Sequence, residues 1–171
     1  MNNGMPLNGG FCSVSWKRIM AGKNNKWNKI RGRLQPPPEE FTDFGLLEEI
    51  FSGNPIMTIL QGDGSTFPED SSTRRRTITF IDGSRLRCTE RRVAGKFFYH
   101  YEWQNQDGTK RLAWGSEEHG DRRYQTETEP FHVHPPNAMH GMDRLTNGFH
   151  RDLFSIVEFI QYFILIQSSQ D

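Results

Sequence analysis

Four aromatic residues at strict two-residue spacing, Phe97, Tyr99, Tyr101 and Trp103, constrain this chain more than any other feature. Side chains of an extended strand alternate between two faces, so the spacing puts all four rings on one side. The intervening Phe98, His100, Glu102 and Gln104 take the other. On a helix of about 3.6 residues per turn the same residues scatter around the axis. A strand with so aromatic a face needs neighbours along its edges and a second layer over its rings.

Turn chemistry supplies the neighbours. Asp82-Gly83-Ser84 separates two β-rich runs, residues 77–81 and 85–90. Asp-Gly accepts the positive φ that primed hairpin turns demand. Ala94-Gly95 marks the next reversal, and Gln106-Asp107-Gly108 leads into a run over residues 109–114. With a first strand at residues 56–61, the pattern predicts an antiparallel meander of four to five strands. A further short extended piece is expected at residues 131–134, inside a stretch (115–148) that otherwise reads as loop.

The second layer comes from the end of the chain. Residues 149–167 predict an apolar helix whose only wet edge is Asp152, Ser155, Glu158 and Gln161. The rest is expected to be buried across the aromatic face of the sheet. A short helix is predicted at residues 40–51, with Phe41, Phe44, Leu47 and Phe51 on one face, ended by Gly53-Asn54-Pro55. The fold class is therefore α+β, and the chain's four Ala against 13 Phe agree with a sheet-containing core.

Charge divides the chain in two. Lys and Arg number 21, as do Asp and Glu, so the formal net charge is zero. Yet residues 1–38 carry seven basic residues and no acidic one, leaving 14 basic and 21 acidic residues, a net of −7, in residues 39–171. Pro36-Pro37-Pro38 stiffens the boundary. We expect a basic, flexible arm over 1–38 and a single domain over 39–171. A basic arm suits nucleic acid, an anionic surface or the chain's own acidic body. The two cysteines, Cys12 and Cys88, suggest no disulfide framework, which points to a reducing, cytoplasmic setting. The N-terminus shows no apolar leader, and the longest apolar run is shorter than the ~20 residues needed to span a membrane.

Histidine dominates the candidate chemistry. Five of six histidines fall between positions 100 and 140. Imidazole exchanges protons near neutral pH, so histidines can cleave RNA without a metal. The reaction needs a base for the 2′-hydroxyl, an acid for the leaving oxygen and a cation for the phosphorane. His100, with His119 or His132, and Arg111 or Arg85 fit those roles. His132 and His134, at i and i+2, share a face if extended. With His119, or with Asp121 or His140, they form an alternative set for one divalent transition metal. The plainer alternatives are a strand histidine bonded to Glu102 and histidines on a surface loop.

Arg74, Arg75, Arg76, Arg85 and Arg87 are candidates for tracking phosphates along a hairpin face, with paired surface charge as the alternative. In the arm, Lys17 and Lys26 lie beside Trp16 and Trp27, a composition suited to single-stranded bases or to an acidic partner. No Gly-rich phosphate loop, serine-nucleophile elbow or zinc-finger spacing occurs.

Taken in order, Tyr99-His100-Tyr101-Glu102-Trp103-Gln104, the Asp107-Gly108 turn, residues 111–114, His119, Phe131-His132-Val133-His134 and the apolar terminal helix resemble the TumE-type toxin family of prokaryotic toxin–antitoxin pairs. The resemblance covers residues 77–166. It implies a small α+β toxin that arrests growth by acting on RNA, encoded beside a helix-turn-helix antitoxin. His100 matches the family's strand histidine, His119 the first histidine of a His-His pair, and His132 with His134 the late His-x-His. Trp114 matches the aromatic that precedes Asp-Asn in the family; here Gly115-Ser116 follows it, and Gly120 stands at the second histidine of the pair. The arm is not part of the family pattern. The alternative is a degenerate member that binds a protein partner without catalysis, through its acidic body and basic arm.

Overall fold

A computed structural model describes residues 38–51, 57–61, 72–136, 138 and 143–169. All of them belong to one unit spanning residues 34–171. Residues 1–37 of the predicted arm, with Lys17, Lys26 and both of its tryptophans, lie outside the described residues, as does His140.

Among the described residues, seven strands form one antiparallel sheet in sequence order. They are β1 (Met57–Gln61), β2 (Thr73–Phe80), β3 (Arg85–Val93), β4 (Lys96–Gln104), β5 (Lys110–Gly115), β6 (His132–His134) and β7 (Leu145–Thr146). The meander is thus the expected one, extended by two strands. β6 falls within the short extended piece expected at residues 131–134, whereas β7, two residues long, is too short for periodicity to reveal. The turns sit where sequence chemistry put them: Gly83, Gly95 and Gly108 have φ of 77°, 79° and 85°, and Ala94 has φ 50°. Asp82 Oδ1 accepts from the Ser84 N–H (2.9 Å), and the Ser84 hydroxyl accepts in turn from the Trp103 indole N–H (3.0 Å). The first turn is therefore tied directly to the core.

The alternation holds along β4. Tyr99, Tyr101 and Trp103 are buried with Ile78, Phe80, Leu86, Cys88 and Trp114, and His100 is exposed on the opposite face. Burial and the neighbouring Glu90 push the Cys88 thiol up, so it acts as a small apolar core residue rather than a nucleophile. Over this face lie two helices, α1 (Phe44–Phe51) and α2 (Leu153–Ser168). α1 begins later than predicted. Asp43 Oδ1 accepts from the Leu46 N–H at 3.0 Å and caps the helix, while Thr42 is held outside it by the buried Glu90 carboxylate (N–H to Oε2, 2.9 Å). Glu90 Oε1 accepts from the Tyr101 hydroxyl at 2.6 Å.

α2 also starts late and is wetter than expected. Asp152 is its N-cap, accepting from the Ser155 N–H at 2.9 Å, rather than part of its wet edge. Asn147 bridges to His150 just before it. Leu153, Ile156, Val157, Ile160 and Ile164 are buried, and so is Gln161. Tyr162, Leu165 and Ile166 are exposed, which corrects the expectation that everything outside the polar edge is covered. Among the described residues no helix is long and apolar enough to cross a membrane.

Candidate active site

The face of the sheet opposite the helices is polar. By register and strand parity it carries Thr73, Arg75, Thr77 and Thr79 of β2, Arg85, Arg87 and Thr89 of β3, and His100 and Glu102 of β4. β5 adds only Ala113 and Gly115 in the middle, flanked by β6 with His132 and His134. One row reads His100, Gly115, His132, Thr146; the next reads Glu102, Ala113, His134. Because β5 supplies two small residues, the imidazoles of β4 and β6 face each other across a shallow floor.

His132 forms the back of that floor. It is buried, with Nδ1 2.8 Å from the Pro130 carbonyl oxygen. A carbonyl only accepts, so Nδ1 carries the proton and Nε2 of the neutral ring is a free acceptor. The ring lies so close over Gly115 that a Cβ there would fall 2.7 Å from Nε2. Gly115 is therefore required by packing: only a residue without a side chain admits His132. The next residue closes the ladder, Ser116 Oγ accepting from the Tyr99 N–H at 2.8 Å.

His134 stands in front, its ring edge-on to His132 at 4.8 Å. Burial, then His132, Arg144, His100 and Lys110, push it down from 6.5 to about 4. Burial is also the main cause lowering His132, which its bond to Pro130 opposes and Arg144 reinforces. Both rings are thus held neutral at physiological pH. His100 is half-exposed, with Nε2 3.9 Å from Glu102 Oε2.

Arg144, which sequence reasoning did not single out, completes the cluster. Its side chain is almost buried, and NH1 lies 3.6 Å from Glu129 Oε1. Its Nε and NH1 have no hydrogen-bond partner. A guanidinium is rarely left so under-partnered, and beside two neutral imidazoles it is suited to an anion. Its only sequence signal is its place just before β7, which is visible once Thr146 is known to pair with His132.

Other candidates are placed elsewhere. Arg111 sits at a bulge in the β4–β5 ladder. Its guanidinium stacks over Trp103 at 4.6 Å, on the helix-covered face, and binds Asp82 Oδ2 at 3.1 Å and Asn105. It ties two turns together and does not join the histidines. The contacts of His119 are with its own loop: Nδ1 accepts from the Asp121 N–H (3.1 Å), and its ring meets Tyr124. Its backbone N–H donates to Glu129 Oε1 at 2.7 Å, so the loop is tied to the site through the carboxylate that neighbours Arg144. The Arg74-Arg75-Arg76 run splits by parity. Arg74 and Arg76 lie over the Phe41 and Phe44 rings at 4.8 and 5.5 Å, on the α1 side, and only Arg75 joins Arg85 and Arg87 on the polar face. Among the described residues no three His, Cys, Asp or Glu are placed to hold a metal ion, so His119 does not complete a set with His132 and His134.

A family model described as Toxin TumE matches residues 50–162, 113 of the 171 residues. The match spans all seven strands and most of α2. Comparison with curated proteins gives no match, and neither does comparison with solved structures.

Proposed function

From the premise that the chain belongs to the TumE toxin family, and so is a toxin of a toxin–antitoxin system, we propose that it is a metal-independent ribonuclease. The observation that carries this reading is the convergence of His100 and His134 on one sheet face, backed by an almost buried, under-partnered Arg144. In this reading His134, neutral above about pH 4, takes the 2′-hydroxyl proton. The 2′-oxygen bonds to the adjacent phosphorus. The bond from phosphorus to the 5′-oxygen breaks, and His100 donates a proton to that leaving oxygen. The products are a 2′,3′-cyclic phosphate and a free 5′-hydroxyl. Arg144 and Lys110 balance the charge of the phosphorane. His132 is a positioning residue: it is buried, its tautomer is set by Pro130, and it holds His134 edge-on. A phosphate bound between Arg144 and His134 raises the His134 pKa towards the operating pH, where a general base is most effective.

The polar face supports RNA as the substrate, since Arg75, Arg85 and Arg87 with four threonine hydroxyls form a surface suited to phosphates. In this reading Lys17 and Lys26 of the arm add further phosphate contacts. The partner we propose is a helix-turn-helix antitoxin meeting the toxin in the cytoplasm. The exposed ridge of Tyr162, Leu165 and Ile166 on α2 is an apolar surface of the kind that marks a protein contact.

Purified protein tests the chemistry. Cleavage of single-stranded RNA is expected to survive chelators, with kcat/KM falling as pH drops towards 4. Loss of cleavage on chelation, with recovery on adding back one divalent transition metal, would overturn the metal-free assignment. Harmless expression together with tight capture of a helix-turn-helix protein encoded alongside would instead favour a non-catalytic binder.

A further inference from the structure

β5 leaves β4 early. Their pairing ends at His100 with Gly115, while β4 runs back to Lys96. Beyond that point the edge of β4 faces a cleft of about 570 Å³ rather than a strand, within the range of small-ligand sites. Phe98 and Phe131 line it with Ser116, Glu118, Arg92 and Lys96. Three features of this cleft point the same way.

Phe98 shares the polar face with His100, two residues away, so the cleft begins one strand repeat (about 6.6 Å) from a proposed catalytic group. The main chain at the edge is open. Tyr99 uses its N–H and C=O on Ser116; main-chain direction repeats every second residue, so the Phe97 N–H and C=O point to the same edge, past the end of β5. Finally, the charges are mixed, with Arg92 and Lys96 beside Glu39, Glu40 and Glu118.

We propose that this cleft is a nucleobase subsite, binding one unpaired base of the RNA next to the phosphodiester that is cut. The base stacks on Phe98. Its hydrogen-bonding edge meets the Phe97 main chain and Glu118, a carboxylate that accepts from an exocyclic amine. Lys96 meets the flanking phosphate, while Arg92, donating to the Glu39 carbonyl oxygen at 3.1 Å, holds one wall of the cleft. The same edge is too short for a partner's strand, because among the described residues of β4 only Phe97 lies beyond the end of β5 with its donor and acceptor on that edge, whereas strand addition draws on a run of main-chain bonds. One donor and one acceptor suit a base. The inference rests on the ribonuclease reading, and it supplies the sequence preference that the phosphate-tracking face cannot.

The test uses the full chain and the four ribonucleoside 5′-monophosphates as probes. Backbone amide shifts are followed in wild type, Phe98→Ala and Phe98→Tyr, and cleavage sites are mapped on a mixed-sequence RNA. At least one nucleotide is expected to shift the amides of Phe97, Phe98 and Ser116 saturably. Phe98→Ala should weaken that binding at least tenfold at an unchanged Tm and flatten base preference beside the cut; Phe98→Tyr should keep both. If no nucleotide shifts these amides while RNA is still cut, the subsite falls and the ribonuclease reading stands. If nucleotides bind there but RNA is not cut, the subsite stands and the ribonuclease reading falls. Perturbation of these amides by the antitoxin but by no nucleotide would make the cleft a protein-binding groove and overturn the proposal.

Discussion

His134 gives the site a signature in stability as well as in rate. Its folded value of about 4 lies below the ordinary 6.5, so between those values the unfolded chain binds the extra proton. Folding stability should therefore fall as pH drops through that window and level off below it. His132 is shifted in the same direction. In His134→Asn the drop in Tm between pH 7 and pH 4 should shrink, leaving the share of His132; an unchanged drop would mean that His134 is not held neutral by the fold. Gly115→Ala tests the floor. The new methyl meets the His132 ring at 2.7 Å, and the ring is pinned at Pro130, so we expect a loss of roughly 1–3 kcal/mol from overpacking together with loss of cleavage, read by thermal melts and an RNA assay. A variant as stable and active as wild type would show that His132 is free to move. At this scale the sequence showed that His100 and Glu102 leave the aromatic face, because that follows from alternation alone. Chemistry alone offered His132, beside His119, as a partner for His100, but the sequence did not place His134 with them, nor Arg144 beside any of the three. Those meetings depend on β6 and β7 pairing in one register, and strands of three and two residues carry no period to read.

At the scale of elements, α2 over the sheet holds the fold. Ile160 is fully buried and Phe159 partly so, set against Trp114 and His150 at 6.0 and 5.0 Å. Ile160→Ala should cost roughly 2–5 kcal/mol, and Phe159→Ala less than its size suggests, measured by denaturant unfolding; equal small losses would refute the packing. The sequence identified this helix by its apolarity yet misjudged its faces. Gln161 lies in the buried row with Val157 and Ile164, while Leu165 and Ile166 face outward. Hydrophobicity marks what is able to be buried, and the neighbouring layer decides what is. The meander was readable because each hairpin has its own turn chemistry, whereas the start of each helix was set by caps, at Asp43 and Asp152, that the helical pattern overran.

For the whole molecule, a neutral net charge conceals a polar, arginine-bearing surface on one side of the sheet and a packed core on the other. If Arg85 and Arg87 track the RNA backbone, replacing each with Ala should weaken binding across all sequences and lower the slope of log affinity against log salt by about one. Unchanged slopes would move the RNA off this face. The toxin assignment rests on the family match across residues 50–162, whereas the proposed chemistry rests on His100 and His134, set diagonally on the polar face in the adjoining rows that cross β5 at Gly115 and Ala113. The most direct test is single-turnover cleavage of RNA by the purified protein in chelator, comparing wild type with His100→Ala and His134→Ala at matched stability. The account predicts 2′,3′-cyclic phosphate ends from wild type and at least a hundredfold loss in each variant, within the range of general acid–base effects. Cleavage at wild-type rate by both variants, or no cleavage by wild type, would contradict it.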